Sequence, residues 1–579
     1  MKFISYLPIL VLLFVLITFN ACKESTPTVD IVADVTPIFD LQKQVVSDSA
    51  MVVSAHPLAT AAGVEILKKG GNAVDAMVAV HFALAVAYPR AGNLGGGGFM
   101  IYRDKKGLSN TLDFREMAPS TAHKNMYLDA EGEIIDSLSL TGHLASGVPG
   151  SVEGMYVAHQ KYGKLPWKVL LQPAIDLAQN GIKVTAREVA AYNEHMWLFK
   201  KFNPHENAFV KEVAWKKGDR LVQKDLAEVL KRIQQEGRAG FYEGKTADLI
   251  VQEMQKTKGI ISHQDLKNYT AVWRAPIQFD YKGYTIISMP PPSSGGICLA
   301  ELFNMVEPYP MEKWGFQSAK SIHLFTEAAR RAYADRTEHL GDIDFYPIPV
   351  ETLSSQAYAD MRMQTYVDSI ATPSDRISHG NPYPKESEQT THYCVVDAEG
   401  NAISVTTTIN SNFGSKVIVE GGGFFMNNEM DDFSSKPGVP NQFGLLGNEA
   451  NAIAPHKRML SSMTPTIVEK DSAFFMAVGS PGGSKIITTV FQVVTNVIDY
   501  KLPLKDAVHQ PRFHFQWLPD LLYHEEGAFS DALLTELKAM GHTPKSRDAI
   551  GQVEAILRLP NGQLEGVSDI RGDDDAQGL

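Results

Sequence analysis

Between Ala59 and Pro89 the apolar residues of "ATAAGVEILKKGGNAVDAMVAVHFALAVAYP" recur at helical spacing, interrupted once at Gly70-Gly71. The pattern predicts two helices, the second apolar nearly all round and therefore buried. "RAGNLGGGGFMIYRD" follows, a glycine-rich turn that feeds a strand. Four consecutive glycines can cradle a phosphate. A run that leads into a strand and lacks the Lys-Ser/Thr of a P-loop points instead to close backbone packing or a substrate-facing loop. From Gly150 to about Gln264, helical stretches such as "PWKVLLQPAIDLAQNG" and "QKDLAEVLKRIQQEGRAGFY" alternate with turns. "YTIISMPPPSSGGICLAELFNMVE" reads as a strand, a rigid turn and a helix, and helical periodicity returns from Ser318 to Leu340.

A polar stretch rich in Pro, Ser, Asp and Lys, from about Thr372 to Gln389, reads as a linker ending at Thr390. Beyond it strands dominate. Tyr393 to Asp397 and Ala402 to Thr408 flank the turn "AEGN" as a β-hairpin, and "SAFFMAVGSPGGSKI" and "AILRLPNGQLEGVSD" add further strands. The plain reading of that hairpin is an edge element after a loop, since Thr-rich strands are ordinary. Helices mixed with antiparallel strands predict an α+β protein.

The start of the chain adds a location. "MKFISYLPILVLLFVLITFNAC" has a short basic beginning, an apolar run from about Tyr6 to Phe19, then Ala21-Cys22. This predicts export, with a secretory signal over residues 1–21 that is too short for a comfortable membrane span. A cysteine at that place resembles the lipidation site of a bacterial lipoprotein and implies a lipid anchor at Cys22, with residues 22–45 as a polar tether. A simple cleaved signal or an uncleaved anchor is the plainer alternative. Cys298 and Cys394 complete the cysteines and are too few for a disulfide framework, so each reads as a buried small hydrophobe. A net charge of -12 without a dense Lys/Arg cluster excludes nucleic acid as a partner.

The chain has no G-x-S-x-G elbow and no H-E-x-x-H zinc spacing, and its seventeen histidines are scattered. His392, directly after Thr390-Thr391, could serve as a base or simply belong to the strand. The nucleophile class that remains is an N-terminal threonine. A free α-amine has a pKa of about 8 and can accept the proton of its own residue's hydroxyl. A threonine in mid-chain acquires that amine only by cleavage, and the linker before Thr390 offers the place.

The residues around Thr390 carry a resemblance. "TTHYCVVDAEGNAISVTTTIN", "NNEMDDFSSKPGVPN", "RMLSSMTPTIV" and "GSPGGSKIITTV" resemble motifs of the γ-glutamyltransferase family of self-processing N-terminal-nucleophile hydrolases. "GGNAVDAMVAV", "NLGGGGFMIYRD", "LDFREMAPS", "SGVPGSVEGM" and "PPPSSGG" precede them in matching order, so the likeness runs from about Val46 to the C-terminus. It implies a four-layer αββα fold cut between Gln389 and Thr390 by Thr390 itself, with residues 46–389 and 390–579 as large and small subunits of a heterodimer.

The resemblance also implies roles. Thr390 is the nucleophile and the Thr408 hydroxyl supports it, while the backbone N–H groups of Gly482 and Gly483 receive the oxyanion. Arg115, Ser461 and Ser462 grip the α-carboxylate of a glutamyl donor, and Asn410, Glu429 and Asp432 hold its α-ammonium. Implied donors are γ-glutamyl amides such as glutathione, acceptors are water, amino acids or peptides, and no metal or organic cofactor is required. Phe443 stands in the lid-like loop "KPGVPNQFGLLGNEA" where some members have tyrosine. Two other readings stay open: a cephalosporin or glutaryl acylase on the same fold, and an unprocessed, non-catalytic surface lipoprotein.

Overall fold

Two seven-stranded antiparallel sheets form the centre of the molecule. The structure, a computed structural model, describes residues 38–377, 390–436, 439, 441–442 and 447–579. The signal segment, Cys22, most of the tether, Gln389 and Phe443 lie outside the described residues. The first sheet runs, in spatial order, Asp575–Gly578, Met51–Ser54, Thr391–Val396, Ala402–Thr408, Gly97–Arg103, Ser109–Asp113 and Val272–Arg274. The second runs Gln44–Ser47, Leu564–Ser568, Glu554–Arg558, Ala473–Gly479, Thr466–Lys470, Tyr284–Ser288 and Ile277–Tyr281.

The predicted hairpin therefore lies in the middle of a sheet, not at its edge. It pairs with Met51–Ser54 on one side and Gly97–Arg103 on the other, and both of its faces are covered. Tyr393, Val395, Ile403 and Val405 pack into the core shared with the outer helices. Cys394, Val396 and Ala402 pack between the sheets with Ile467, Ala477 and Ile556 of the second sheet. A strand with period two whose faces are both apolar must be covered on both sides.

Helices supply the two outer layers. Pro57–Lys68 and Ala73–Ala87 cover the first sheet, and every residue of the second helix is buried, as its unbroken apolar sequence requires. Asn72 and Asp75 close its N-terminus as a capping box. Gly295–Val306, Ala319–His339 and Lys485–Ile498 cover the second sheet. The result is the expected α/β/β/α stack. No helix among the described residues is long and apolar enough to cross a membrane.

The four-glycine run is a close-packing device. A Cβ on Gly96 would lie 2.0 Å from the Thr408 carbonyl oxygen, and one on Gly98 would lie 2.5 Å from that of Thr406. The polar stretch after Thr372 departs from the linker reading at its start. Thr372 donates to Glu327 through its N–H and hydroxyl, and Ser374 is buried against Trp517 and Asp520. Small hydroxyl side chains that reach backbone and carboxylate partners are held to the body as far as Ile377.

Candidate active site

The register of the central hairpin pairs Thr391 with Thr407, and continuing it by one step sets Thr390 opposite Thr408. Both then share the parity of Cys394 and Ala402 and point between the sheets. There the strand Ala473–Gly479 ends in Ser480-Pro481-Gly482-Gly483. Gly482 and Gly483 have φ of 134° and 55°, a region open to glycine without steric cost. The N–H of Gly482 donates to Thr390 Oγ1 at 3.1 Å. The helix Lys485–Ile498 starts just beyond, so its positive end faces the same place.

Thr390, Thr408, Asn410, Arg115, Glu429, Asp432, Ser461, Ser462 and Gly483 all line one cleft with about 330 Å³ of empty space. Asn410 adopts a left-handed backbone, φ 73°, that asparagine tolerates, and its N–H donates to Thr408 Oγ1 at 2.7 Å. Its side-chain amide is held by the Asn428 carbonyl at 3.0 Å. A second cleft, lined by Phe325, Phe491 and Phe513, is largely apolar and holds none of the expected site residues.

The charged end of the cleft has an arrangement that the sequence did not reveal. Arg115 donates from Nη1 to Glu429 at 2.6 Å and from Nη2 to Asp432 at 2.5 Å. Its forked donors therefore rest on the two carboxylates expected to hold an ammonium. Glu116, which out of context would read with Arg115 as a solvated pair, is fully buried and lies 3.5 Å from the same guanidinium. Three carboxyls thus share one adjacent cation. Burial pushes Glu116 up to about 8 and raises Glu429 and Asp432 as well, with the Arg115 charge opposing the rise. Burial works against the Arg115 charge too, but Glu429, Asp432 and Glu116 outweigh it and hold its pKa above the ordinary value. Such a cluster is short of positive charge and favours the arrival of another cation.

His392 is settled as a strand residue. It is buried between the sheets, bonded to Thr406 at 2.9 Å and to Cys394 at 3.1 Å, and burial lowers its pKa to about 3. It does not line the cleft.

A family model described as Gamma-glutamyltranspeptidase matches residues 59–579. The chain belongs to the gamma-glutamyltranspeptidase family. It is 48% identical over 545 residues to the "Glutathione hydrolase proenzyme" of Escherichia coli (strain K12), covering 93% of each chain. A protein of the same description from Pseudomonas aeruginosa is 46% identical over 531 residues, covering 91% of this chain and 94% of the relative. Among solved structures, cephalosporin acylase from Bacillus halodurans superposes with a TM-score of 0.82 at 26% identity, covering 94% of this chain and 98% of that one. The fold is that of the N-terminal-nucleophile hydrolases.

Two polar residues of the cleft escaped the sequence reading. Arg336, on the helix Ala319–His339, donates to Ser462 Oγ at 3.1 Å. Asn441, inside the lid-like loop, approaches Asp432 Oδ1 at 3.3 Å. The only signal for Arg336 is that "RRAYADR" places charges on a helix that is buried almost throughout.

Proposed function

We propose that this chain is a self-processing γ-glutamyl hydrolase and transpeptidase acting on γ-glutamyl amides such as glutathione. One observation carries the reading: the Thr390 hydroxyl, met by the Gly482 N–H, shares a cleft with a guanidinium set against two carboxylates. That cleft suits an acyl donor whose far end bears both a carboxylate and an ammonium. The names of the relatives at 48% and 46% identity support the same chemistry and a precursor that matures by cleavage.

In this reading Thr390 first attacks its own preceding carbonyl, and the ester formed by the N-to-O acyl shift is hydrolysed to leave Thr390 as a new N-terminus. Its α-amine, with an ordinary pKa of about 8, accepts the hydroxyl proton as Oγ1 attacks the γ-carbonyl of the donor. The N–H groups of Gly482 and Gly483 receive the developing oxyanion. Thr408, with its hydroxyl beside the Glu429 carboxylate, orients the nucleophile. The amine leaves with the proton, and water or an amino acid or peptide then opens the γ-glutamyl ester.

The donor α-carboxylate draws the Arg115 fork and the Ser461 and Ser462 hydroxyls, and its α-ammonium takes the place of Arg115 beside Asn410, Glu429 and Asp432. Residues 46–389 and 390–579 remain together as large and small subunits. The protein is exported and held at the membrane through a lipid on Cys22.

The test is the purified protein itself. Two fragments of roughly 40 and 21 kDa are expected at ~110 Da per residue, the smaller beginning Thr-Thr-His-Tyr. Thr390→Ala should remain one inactive chain. Cleavage of that variant at the same bond would assign maturation to another protease.

A further inference from the structure

Arg336 sits at the edge of the cleft in an unusual electrostatic position. It is 3% exposed, and among the described residues no carboxylate lies within ion-pair distance of it. Burial lowers its pKa, with Cys298, Tyr333 and Asp432 as its opposing neighbours. A buried guanidinium without a paired anion is costly unless hydrogen bonds or an incoming anion compensate.

Its hydrogen bonds are directed. Nε donates to Ser294 Oγ at 2.9 Å, and Ser294 passes its own proton to the Ser461 carbonyl at 2.7 Å. The Ser294 N–H meets the same carbonyl at 2.8 Å. Nη2 donates to Ser462 Oγ at 3.1 Å. A serine oxygen that accepts from a guanidinium has to send its own proton elsewhere. Among the described residues no protein acceptor takes the Ser462 proton, and the side chain lines the cleft.

We propose that Arg336 is a positioning residue for donor recognition. It pins Ser461-Ser462 from behind, polarises the Ser462 hydroxyl so that its proton faces the donor α-carboxylate, and supplies a second positive charge for that carboxylate. The inference rests on the γ-glutamyl reading of the cleft. Arg115 and Arg336 then divide the work: Arg115 contacts the carboxylate directly, and Arg336 acts through Ser462.

Donors that differ only at the α-carbon test this. γ-Glutamyl-p-nitroanilide carries the α-carboxylate, and 4-aminobutyryl-p-nitroanilide lacks it. Arg336→Gln should lower kcat/KM for the first about ten- to a hundredfold, mainly through KM, because a charge-assisted hydrogen bond and its charge are lost. For the second donor the same variant should change kcat/KM by less than about threefold. In a Ser462→Ala background the effect of Arg336→Gln on the first donor should shrink. Should Arg336→Gln fail to mature, Arg336→Lys serves, because a lysine keeps the charge but cannot hold both serines in the same fork; it should show a smaller loss confined to the carboxylated donor.

An equal proportional loss on both donors, in whichever variant matures, would reduce Arg336 to a structural role and overturn the proposal. A wild-type enzyme that accepts neither donor, or does not prefer the first, would instead overturn the γ-glutamyl reading.

Discussion

Removing the α-amine from the donor isolates the acidic half of the cleft. A glutaryl amide keeps the carboxylate proposed to draw Arg115 but brings no ammonium to replace it. Arg115 holds Glu429 at 2.6 Å and Asp432 at 2.5 Å, and the two carboxylate side chains are 0% and 11% exposed. Water therefore screens the loss poorly. A charge-assisted hydrogen bond contributes roughly 1.5–3 kcal/mol, and about 1.4 kcal/mol is a factor of ten, so losing one should cost about ten- to a hundredfold or more in kcat/KM. Mature enzyme assayed on γ-glutamyl-p-nitroanilide and glutaryl-p-nitroanilide should prefer the first by at least that factor. Asp432→Asn should narrow the gap mainly by harming the γ-glutamyl donor, since the amide keeps the shape and removes the charge. Equal rates on the two donors would refute the exchange of ion pairs and favour an acylase, whose solved relative shares this fold. A uniform loss on both donors in Asp432→Asn would show that Asp432 organises Arg115 and does not meet the ammonium.

Two further outcomes test the scaffold. Gly96→Ala would place a methyl 2.0 Å from the Thr408 carbonyl oxygen, so the strand carrying Thr408 must shift; stability should fall by about 1–3 kcal/mol and kcat on the order of a hundredfold, and an unchanged melting temperature with unchanged kcat would contradict the packing. His392 is neutral in the fold, its pKa lowered from 6.5 to about 3 by burial, so the stability it contributes is full above about pH 6.5 and is lost as the pH falls towards 3. In the single-chain Thr390→Ala background, His392→Gln should remove about 1.4 kcal/mol per pH unit from the slope of urea stability across the acid range, and identical slopes would show that the ring is protonated in the fold.

Much of this protein was legible in its residues because backbone periodicity is a local property. The apolar run of Ala73–Ala87 required burial on every side, and the turn at "AEGN" between two runs rich in β-branched residues required the hairpin of Thr391–Val396 and Ala402–Thr408. Glycines at four successive positions required something to come close, and the ordered motifs around Thr390 carried the family. The hairpin's place in the sheet was another matter. Nothing local distinguishes an edge from a centre, and the strands Met51–Ser54 and Gly97–Arg103 that flank it come from more than 280 residues earlier in the chain.

Charge partners were hidden for the same reason. The family resemblance supplied Arg115, Glu429 and Asp432 as residues suited to a zwitterion, but only the folded chain set Arg115 directly on both carboxylates, 314 and 317 residues away. Arg336 lay in a run of charges that would pass for a solvated helix face. Packing of the helix Ala319–His339 against Gly295–Val306 buried that face and aimed one guanidinium at Ser462. An ion pair depends on distance in space and on how much water is excluded around it, and neither quantity is a function of spacing along the chain.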